Sequence, residues 1–255
     1  MPLTLTPLPG IPLIQPGDDL AEIIMQSLGR EEIVLQDGDI LVLAQKIVSK
    51  SQGRRVNLAT INPSQTALEL ASQTDKDPRF LELVLRESSE VLRTRPGSII
   101  VEHRLGFVCA NAGIDHSNVA GESIQDEEWV LLLPEEPDNA AEAIRRCLEA
   151  ASGVRLGVLI IDSHGRAWRL GTVGVSIGLS GLPALVDLRG QEDLFGYKLR
   201  ITQVGAADEL AAAASLVMGQ ADEGIPVVHV RGFPYPLREA SLRELLRPKS
   251  QDLFR

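Results

Sequence analysis

Two aspartates stand at equivalent points of two apolar segments. In residues 105–118 (LGFVCANAGIDHSN) an apolar run gives way to small and polar residues, which predicts a buried strand followed by a loop that displays Asp115. Residues 157–161 (GVLII) predict a second buried strand, and Asp162 follows it directly. We therefore expect each carboxylate at the mouth of a hydrophobic strand.

Two such carboxylates have the chemistry of a divalent-cation site. Mg²⁺ takes oxygen ligands and is commonly held by one or two carboxylates together with substrate phosphates. Ser163 and Gln220 offer neutral oxygens that could complete a site for Mg²⁺ or Mn²⁺. A single strand-end aspartate is more often a turn or cap residue. Two in matching contexts favour metal binding by Asp115 and Asp162.

Two lysines follow another predicted strand, residues 40–44 (ILVLA). Lys46 and Lys50 are four residues apart, so a helical turn would place both ammonium groups on one face, and a strand would also align them. They could contact phosphate oxygens. The alternative is that they are ordinary surface lysines, which are common.

Motifs of several other catalytic classes are missing from the sequence. No HxxxH, HExxH or GxxxxGK[ST] pattern occurs, no GxSxG elbow contains Ser117 or Ser163, and no GxGxxG turn stands between a strand and a helix. These absences argue against a zinc site, a serine hydrolase at Ser117 or Ser163, a P-loop and a Rossmann fold. We interpret His164 as an exposed loop residue and Trp168 as packing for that loop.

The apolar pattern predicts an α+β fold of mixed sheets with flanking helices, which must position these side chains. The predicted helices are residues 20–28 with Asp18 or Asp19 as the cap, 63–71, 78–92, 138–151 with Asp138 as the cap, and 204–218; the predicted strands are 40–44, 98–103, 129–133, 157–161 and 225–232, after an extended segment at 3–15. Strand 129–133, the following helix and strand 157–161 would form a βαβ-like unit. The glycines of residues 171–178 suit strand pairs or loops packed closely over a site.

Composition restricts the class of protein. With 44% apolar residues among 255, the chain can bury a substantial core. Its net charge of −10 argues against sequence-independent nucleic-acid binding. No apolar run is long enough to span a membrane and the start lacks the features of a signal peptide, so we expect a cytoplasmic protein. We expect Cys109 and Cys147 to be reduced core residues.

An ordered set of motifs covers nearly the whole chain. It comprises LPGIPLI at 8–14, AQKIVSK at 44–50, CANAGIDHSNV at 109–119, LPEEPDNAA at 133–141, DSHGRAWR at 162–169 and ADELAAAASLVMGQADEGIPVVHVRG at 207–232. Together they resemble the F420-0:γ-glutamyl ligase family. The chain departs from the family pattern at Ser163, His164 and Ala167, where threonine, an aromatic residue and proline are common.

The resemblance implies a GTP-dependent ligase that adds L-glutamate to F420-0 through an amide bond, with further γ-linked glutamates possible, by way of an acyl phosphate. It implies one unit over residues 1–255, either a single domain or two intertwined α+β subdomains, and a homodimer. It also implies Mg²⁺ or Mn²⁺ and stimulation by K⁺.

The same resemblance assigns roles to residues. The catalytic residues would be Lys50, Asp115 and Asp162. The metal ligands would be Asp115 and Asp162, with Ser163 and Gln220 serving a second ion. The nucleotide would contact Gly10, Ile11, Pro12, Leu13, Gln45, Lys46, Lys50, Asn118, Met218, Gly219, Gln220, Ala221, Asp222, Glu223, Gly224 and Ile225. Two alternatives remain open: a non-catalytic nucleotide- or deazaflavin-binding protein, and a related ligase for another carboxylate.

Overall fold

A computed structural model of the chain describes residues 2–119 and 128–253. At its centre is a five-stranded mixed sheet in the order β1 (Thr4–Pro7), β12 (Val227–Arg231), β2 (Ile40–Ala44), β8 (Gly157–Arg166) and β9 (Arg169–Ser180). Strands β2 and β8 are parallel, and the other neighbours are antiparallel. Helices flank this sheet, so the expected α+β class is confirmed.

The central strands are buried on both faces. Along β2, Leu41 and Leu43 pack into one hydrophobic cluster with α1 (Leu20–Arg30) and α5 (Pro137–Ser152). Ile40 and Val42 pack into a second cluster with α6 (Ala206–Met218) on the opposite face. Successive strand residues point to opposite faces, so a strand covered on both sides must be apolar throughout. This explains why ILVLA is uninterrupted by polar residues.

Two glycines of β9 let helices lie directly on the sheet. A Cβ at Gly174 would overlap the carbonyl of Ala211 in α6, and a Cβ at Gly178 would overlap Pro137 in α5. The residues 171–178 therefore belong to a strand, and these two glycines serve helix packing on its two faces.

A third hydrophobic cluster lies apart from this sheet. Helices α3 (Gln65–Thr74) and α4 (Pro78–Arg86) pack against the antiparallel strands β4 (Ser88–Arg95), β5 (Ser98–His103) and β6 (Val108–Ala110). Helix α2 (Gln45–Ser51) follows β2 directly. Two-stranded ladders join β3 (Arg55–Asn57) to β7 (Trp129–Leu131) and β10 (Val186–Asp187) to β11 (Gln203–Val204).

Several local predictions are confirmed. Strands β2 and β5 have the expected bounds, and α1 is capped by Asp19, whose Oδ1 accepts from the backbone N–H of Ala21 at 2.9 Å. The extended segment contains the edge strand β1, which pairs with β12. Cys109 is buried as expected.

Other predictions were wrong where contacts between residues distant in sequence determine the local structure. The helix predicted at 78–92 ends at Arg86, because residues 88–95 supply the strand that pairs with β5. Strand β7 pairs with β3 and the parallel partner of β8 is β2, so the βαβ-like unit does not form. Asp138 lies inside α5, where it accepts from the N–H groups of Leu179 and Leu242. Cys147 is exposed on the outer side of α5.

Among the described residues, no helix is both long and apolar enough to cross a membrane.

Candidate active site

A cleft of about 970 Å³ opens where β2 ends, beside residues 161–163 in the middle of β8. Of the predicted site residues, those lining it are Ile11, Pro12, Leu13, Gln45, Lys46, Lys50, Asn118, Asp162, Ser163 and residues 218–225. Two lie beside it. Gly10 precedes the lining segment, and its carbonyl accepts from Arg30 Nη2 at 3.0 Å. Asp115 adjoins the cleft through bonds to Gln45 and Lys46.

Parallel pairing brings two of the predicted segments together. Ala44 of β2 lies opposite Ile161 of β8, so α2 begins beside Asp162. The prediction that a loop follows Ile161 was wrong: β8 continues to Arg166, and Asp162 pairs with Val175 of β9. The polar residues after Ile161 are accommodated because this half of the hairpin is no longer covered on both faces.

Asp115 is held by a small number of donors. Its backbone forms an isolated bridge with Leu131, which fixes the loop after β6. Its Oδ2 accepts from Gln45 Nε2 at 2.9 Å and lies 3.4 Å from Lys46 Nζ. Burial raises the pKa of Asp115 to about 6; Lys46 opposes this shift, and the Asp162 carboxylate adds to it. The two predicted carboxylates are therefore close enough to repel each other.

Asp162 has a neighbour that the sequence reasoning misjudged. His164 lies on β8 with its side chain only 11% exposed, and its Nε2 is 3.0 Å from Asp162 Oδ2. Phe107 packs against the same imidazole with ring centroids 5.4 Å apart. His164 thus orients Asp162 and is not an exposed loop residue, while the Trp168 side chain is 84% exposed.

Ser163 faces away from Asp162 because strand neighbours alternate. Its hydroxyl donates to Gln220 Oε1 at 2.9 Å, and Gln220 Nε2 donates to Ser215 of α6 at 3.1 Å. The loop after α6 is therefore tied to β8. The hypothesis of two ions requires two adjacent oxygen groups, and Asp115 with Asp162 and Ser163 with Gln220 form two such groups.

The two predicted lysines differ in their partners. Lys46 Nζ donates to Ser117 Oγ at 2.8 Å and to the Ser117 carbonyl at 3.2 Å, besides its contact with Asp115. Lys50 makes no salt bridge within the described part of the chain. Burial lowers the pKa of Lys50, and Lys46 and Arg55 lower it further. Lys46 holds the Asp115 loop, whereas Lys50 has its charge available to a ligand.

Two loops meet at the far wall of the cleft. Asn118 Nδ2 donates to the carbonyl of Ala221 at 3.4 Å, which connects the Asp115 loop to residues 219–224. Gly219 has φ +75°, and a Cβ there would overlap the carboxyl group of Glu223. The turn after α6 therefore requires glycine at this position.

The described side chains provide few charged ligands for a metal cation. Across residues 2–119 and 128–253, no three or more His, Cys, Asp or Glu side chains form a metal-binding group. Burial raises the pKa of Asp115 and the Asp162 carboxylate adds to this rise, so the charge of a divalent cation would stabilise the ionised form of Asp115 at the cleft. Substrate oxygens would have to complete its coordination.

Arg55 also lines the cleft, and the sequence reasoning did not select it. It lies on β3, a three-residue strand that was not predicted. Its position in the Arg54-Arg55 pair is the only local signal, and nothing in that pair tells which arginine faces the cleft.

Comparison with known proteins places the chain in a family of ligases. Residues 10–232 match the family described as F420-0:γ-glutamyl ligase, and the chain belongs to this family. The chain is 48% identical to the coenzyme F420:L-glutamate ligase of Methanothermobacter thermautotrophicus, with 100% of both chains covered. The corresponding ligase of Methanopyrus kandleri is 46% identical over 99% of this chain and 98% of that one. The corresponding ligase of Archaeoglobus fulgidus is 43% identical over 98% of this chain and 95% of that one. The family resemblance is confirmed.

Proposed function

We propose that the protein joins L-glutamate to F420-0 through an amide bond at the expense of GTP. One observation carries the proposal: Asp162 and Lys50 line one cleft that Asp115 adjoins, and Lys50 makes no salt bridge to any described residue, in a chain 48% identical over its full length to a coenzyme F420:L-glutamate ligase. Carboxylates and an available ammonium group at one cleft suit the handling of phosphate oxygens.

The reaction proceeds in two steps that both need charge neutralisation. A carboxylate oxygen of F420-0 attacks the γ-phosphorus of GTP, the bond from that phosphorus to the bridging oxygen breaks, and GDP leaves. The amine of glutamate then attacks the acyl carbon, releases phosphate and loses a proton to form the amide. Neither step needs a protein nucleophile, so positioning and electrostatics are the tasks of the cleft.

The residues of the cleft divide these tasks. Asp115 and Asp162 would hold a divalent cation, Mg²⁺ or Mn²⁺, and Ser163 and Gln220 a second one; when bound, the cations supply positive charge next to the phosphates. Lys50 binds a phosphate oxygen, and its lowered pKa reflects a site built to accept negative charge. Gln45 and Lys46 hold the Asp115 loop, while residues 11–13 and 218–225 bind the remainder of the nucleotide on opposite walls.

The test is an incubation of the protein with GTP, MnCl₂, L-glutamate and F420-0. We expect GDP, phosphate and a product heavier by one glutamyl unit in the mass spectrum, with further units on longer incubation if the γ-linked tail is extended. Tight binding of GTP and F420-0 without GDP release would contradict the proposal in favour of a binding protein. GDP release only with another carboxylic acid would contradict the assigned acceptor.

We also propose that the protein forms a homodimer. The segments at residues 166–171 and 190–201 expose large apolar side chains, including Leu170, Leu194 and Phe195, each at least 95% exposed. Contiguous exposed apolar surface marks association sites in soluble proteins. Sedimentation equilibrium should give twice the chain mass of 27.6 kDa, and Phe195→Asp should shift the equilibrium towards the monomer. A monomeric wild-type protein at micromolar concentration would contradict this.

A further inference from the structure

The guanidinium of Arg55 is unusual among the arginines near the cleft. Its neighbour Arg54 is fully engaged, with Nε donating to the Leu133 carbonyl at 3.0 Å and Nη2 donating to Glu87 Oε2 at 2.9 Å. Arg55 Nε is buried without a hydrogen-bond partner. Within the described residues, Arg55 also has no carboxylate at salt-bridge distance. A half-buried arginine is normally paired, because an unsatisfied charged group is costly to desolvate.

The fold holds this guanidinium in a defined place. Arg55 lies directly opposite Leu131 in the ladder of β3 and β7, and Asp115 bridges the other side of the same Leu131. Residues directly opposite in an antiparallel ladder project from the same face, so Arg55 and Asp115 flank one buried leucine on one face. Trp129, two residues before Leu131, places its ring 4.8 Å from Arg55 Cζ and so fixes the guanidinium plane.

The surrounding charges leave Arg55 uncompensated. Lys46, Lys50 and Arg55 all line the cleft. Burial lowers the pKa of Lys50, and the positive charges of Lys46 and Arg55 lower it further. Lys46 is neutralised by Asp115. Lys50 and Arg55 therefore leave two positive charges at the wall without an acidic partner in residues 2–119 and 128–253. An anionic ligand would satisfy them.

We propose that Arg55 is a substrate-binding residue, whose guanidinium receives two oxygens of an anionic group, phosphate or carboxylate, in the cleft. The planar fork of arginine matches both groups, and stacking on Trp129 orders it before the ligand arrives. The inference rests on the proposed function for the identity of the two candidate ligands, GTP and F420-0. The oriented, unpaired guanidinium is independent of that assignment.

The test measures equilibrium binding to wild-type protein, Arg55→Gln and Arg55→Lys. GTP with MgCl₂ and F420-0 are titrated separately, and Arg95→Gln, which removes the same charge from the exposed end of β4, is the matched control. We expect Arg55→Gln to raise one dissociation constant about tenfold or more. A rise for GTP identifies a phosphate, and a rise for F420-0 identifies an anionic group of the acceptor. Arg55→Lys should recover only part of the loss, because an ammonium group cannot bind two oxygens in one plane.

If Arg55 had only a structural role, Arg55→Gln would lower the melting temperature and leave both dissociation constants unchanged. We expect the melting temperature of ligand-free Arg55→Gln to stay close to that of the wild type, because the substitution removes the contact with Trp129 but no salt bridge to a described residue. A melting temperature several degrees lower, or both dissociation constants within twofold of wild type, would overturn the inference. Wild-type protein that binds both ligands without making product contradicts the proposed function alone, and the dissociation constants still decide on Arg55. Wild-type protein that binds neither would overturn both.

Discussion

The acidic side chains near the two ends of β2 differ in the number of hydrogen-bond donors around them. At the amino-terminal end, Asp39 is 1% exposed, and its carboxylate accepts from Arg231 Nη2 at 2.6 Å and Nε at 2.9 Å, and from the Gln36 N–H at 2.9 Å. His229 Nε2 lies 2.8 Å from it. At the carboxyl end, Asp115 has Gln45, Lys46 at 3.4 Å and the nearby Asp162 carboxylate.

The pKa values follow from these surroundings. Burial would raise the pKa of Asp39, but the hydrogen bonds from Arg231, His229 and Gln36 together hold it below its usual value. At Asp115 burial prevails, and the pKa rises to about 6. A carboxylate with a full set of donors stabilises the fold, whereas one left with too few donors is suited to a ligand. Arg54 and Arg55 repeat this contrast on adjacent residues.

The largest effect should come from the carboxylates at the cleft. Asp115→Asn and Asp162→Asn each remove a charge at the proposed cation site without much change in volume, so turnover should fall by roughly 100-fold or more, equivalent to about 3 kcal/mol of transition-state stabilisation. The measurement is GDP release with saturating Mn²⁺. Asp75→Asn, on the exposed end of α3, is the control and should keep wild-type turnover. Wild-type rates in both cleft variants would contradict the assignment of Asp115 and Asp162 to cation binding.

Asp39→Asn should have its main effect on stability. It leaves Arg231 and His229 without their carboxylate, which typically costs about 3 kcal/mol for a buried pair. Urea unfolding monitored by circular dichroism measures the change in free energy of unfolding. Turnover per folded molecule should be unchanged. Full stability combined with lost turnover would show that the amino-terminal end also serves catalysis.

Lys50→Ala tests a cation that makes no salt bridge to any residue in the described ranges. We expect the KM for GTP to rise about tenfold, or about 1.4 kcal/mol, because one charged contact to phosphate is lost. The melting temperature should not fall, since no salt bridge of Lys50 is broken. Lys76→Ala, in the segment between α3 and α4 and outside the cleft, is the matched control. An unchanged KM for GTP in Lys50→Ala would show that Lys50 does not bind the nucleotide.

The smallest effect is a pair of opposite pH dependences. The folded pKa of Asp115, about 6, lies above the usual value of an aspartate, so its contribution to stability is full below about pH 4 and is lost as pH rises through 6. Asp39 has a lowered pKa, so its contribution is present above its unfolded pKa and is lost as pH falls through the lower folded value.

This predicts a pH-dependent gain in stability for one variant. Without metal, Asp115→Asn should be more stable than wild type by about 1 to 2 kcal/mol at pH 7, after a discount for partial exposure, and the gain should vanish towards pH 4. Urea unfolding at pH 4, 5, 6 and 7 measures it. A constant difference across this range would mean that Asp115 does not titrate as its surroundings require.

Much of the fold and site could be predicted from local pattern. The bounds of β2 and β5 and the start of α1 follow from apolar runs and a capping aspartate, which are properties of neighbouring residues. The motif set also selected most of the residues that line the cleft. The predictions were wrong where pairing with a strand distant in sequence determines the secondary structure. Residues 88–92 form a strand because β5 needs a neighbour, and Asp162 stays within a strand because β9 pairs with it.

The sequence by itself determined the class of fold, the family and two carboxylates with matching surroundings. Only the tertiary structure decided which charges have partners: Asp39 is enclosed by Arg231 and His229, His164 orients Asp162, and Arg55 faces the cleft without an acidic partner among the described residues. Apolar periodicity acts over a few residues, so it can be read along the chain. The free energy of a charge depends on every donor and charge that folding brings near it, from any distance in sequence.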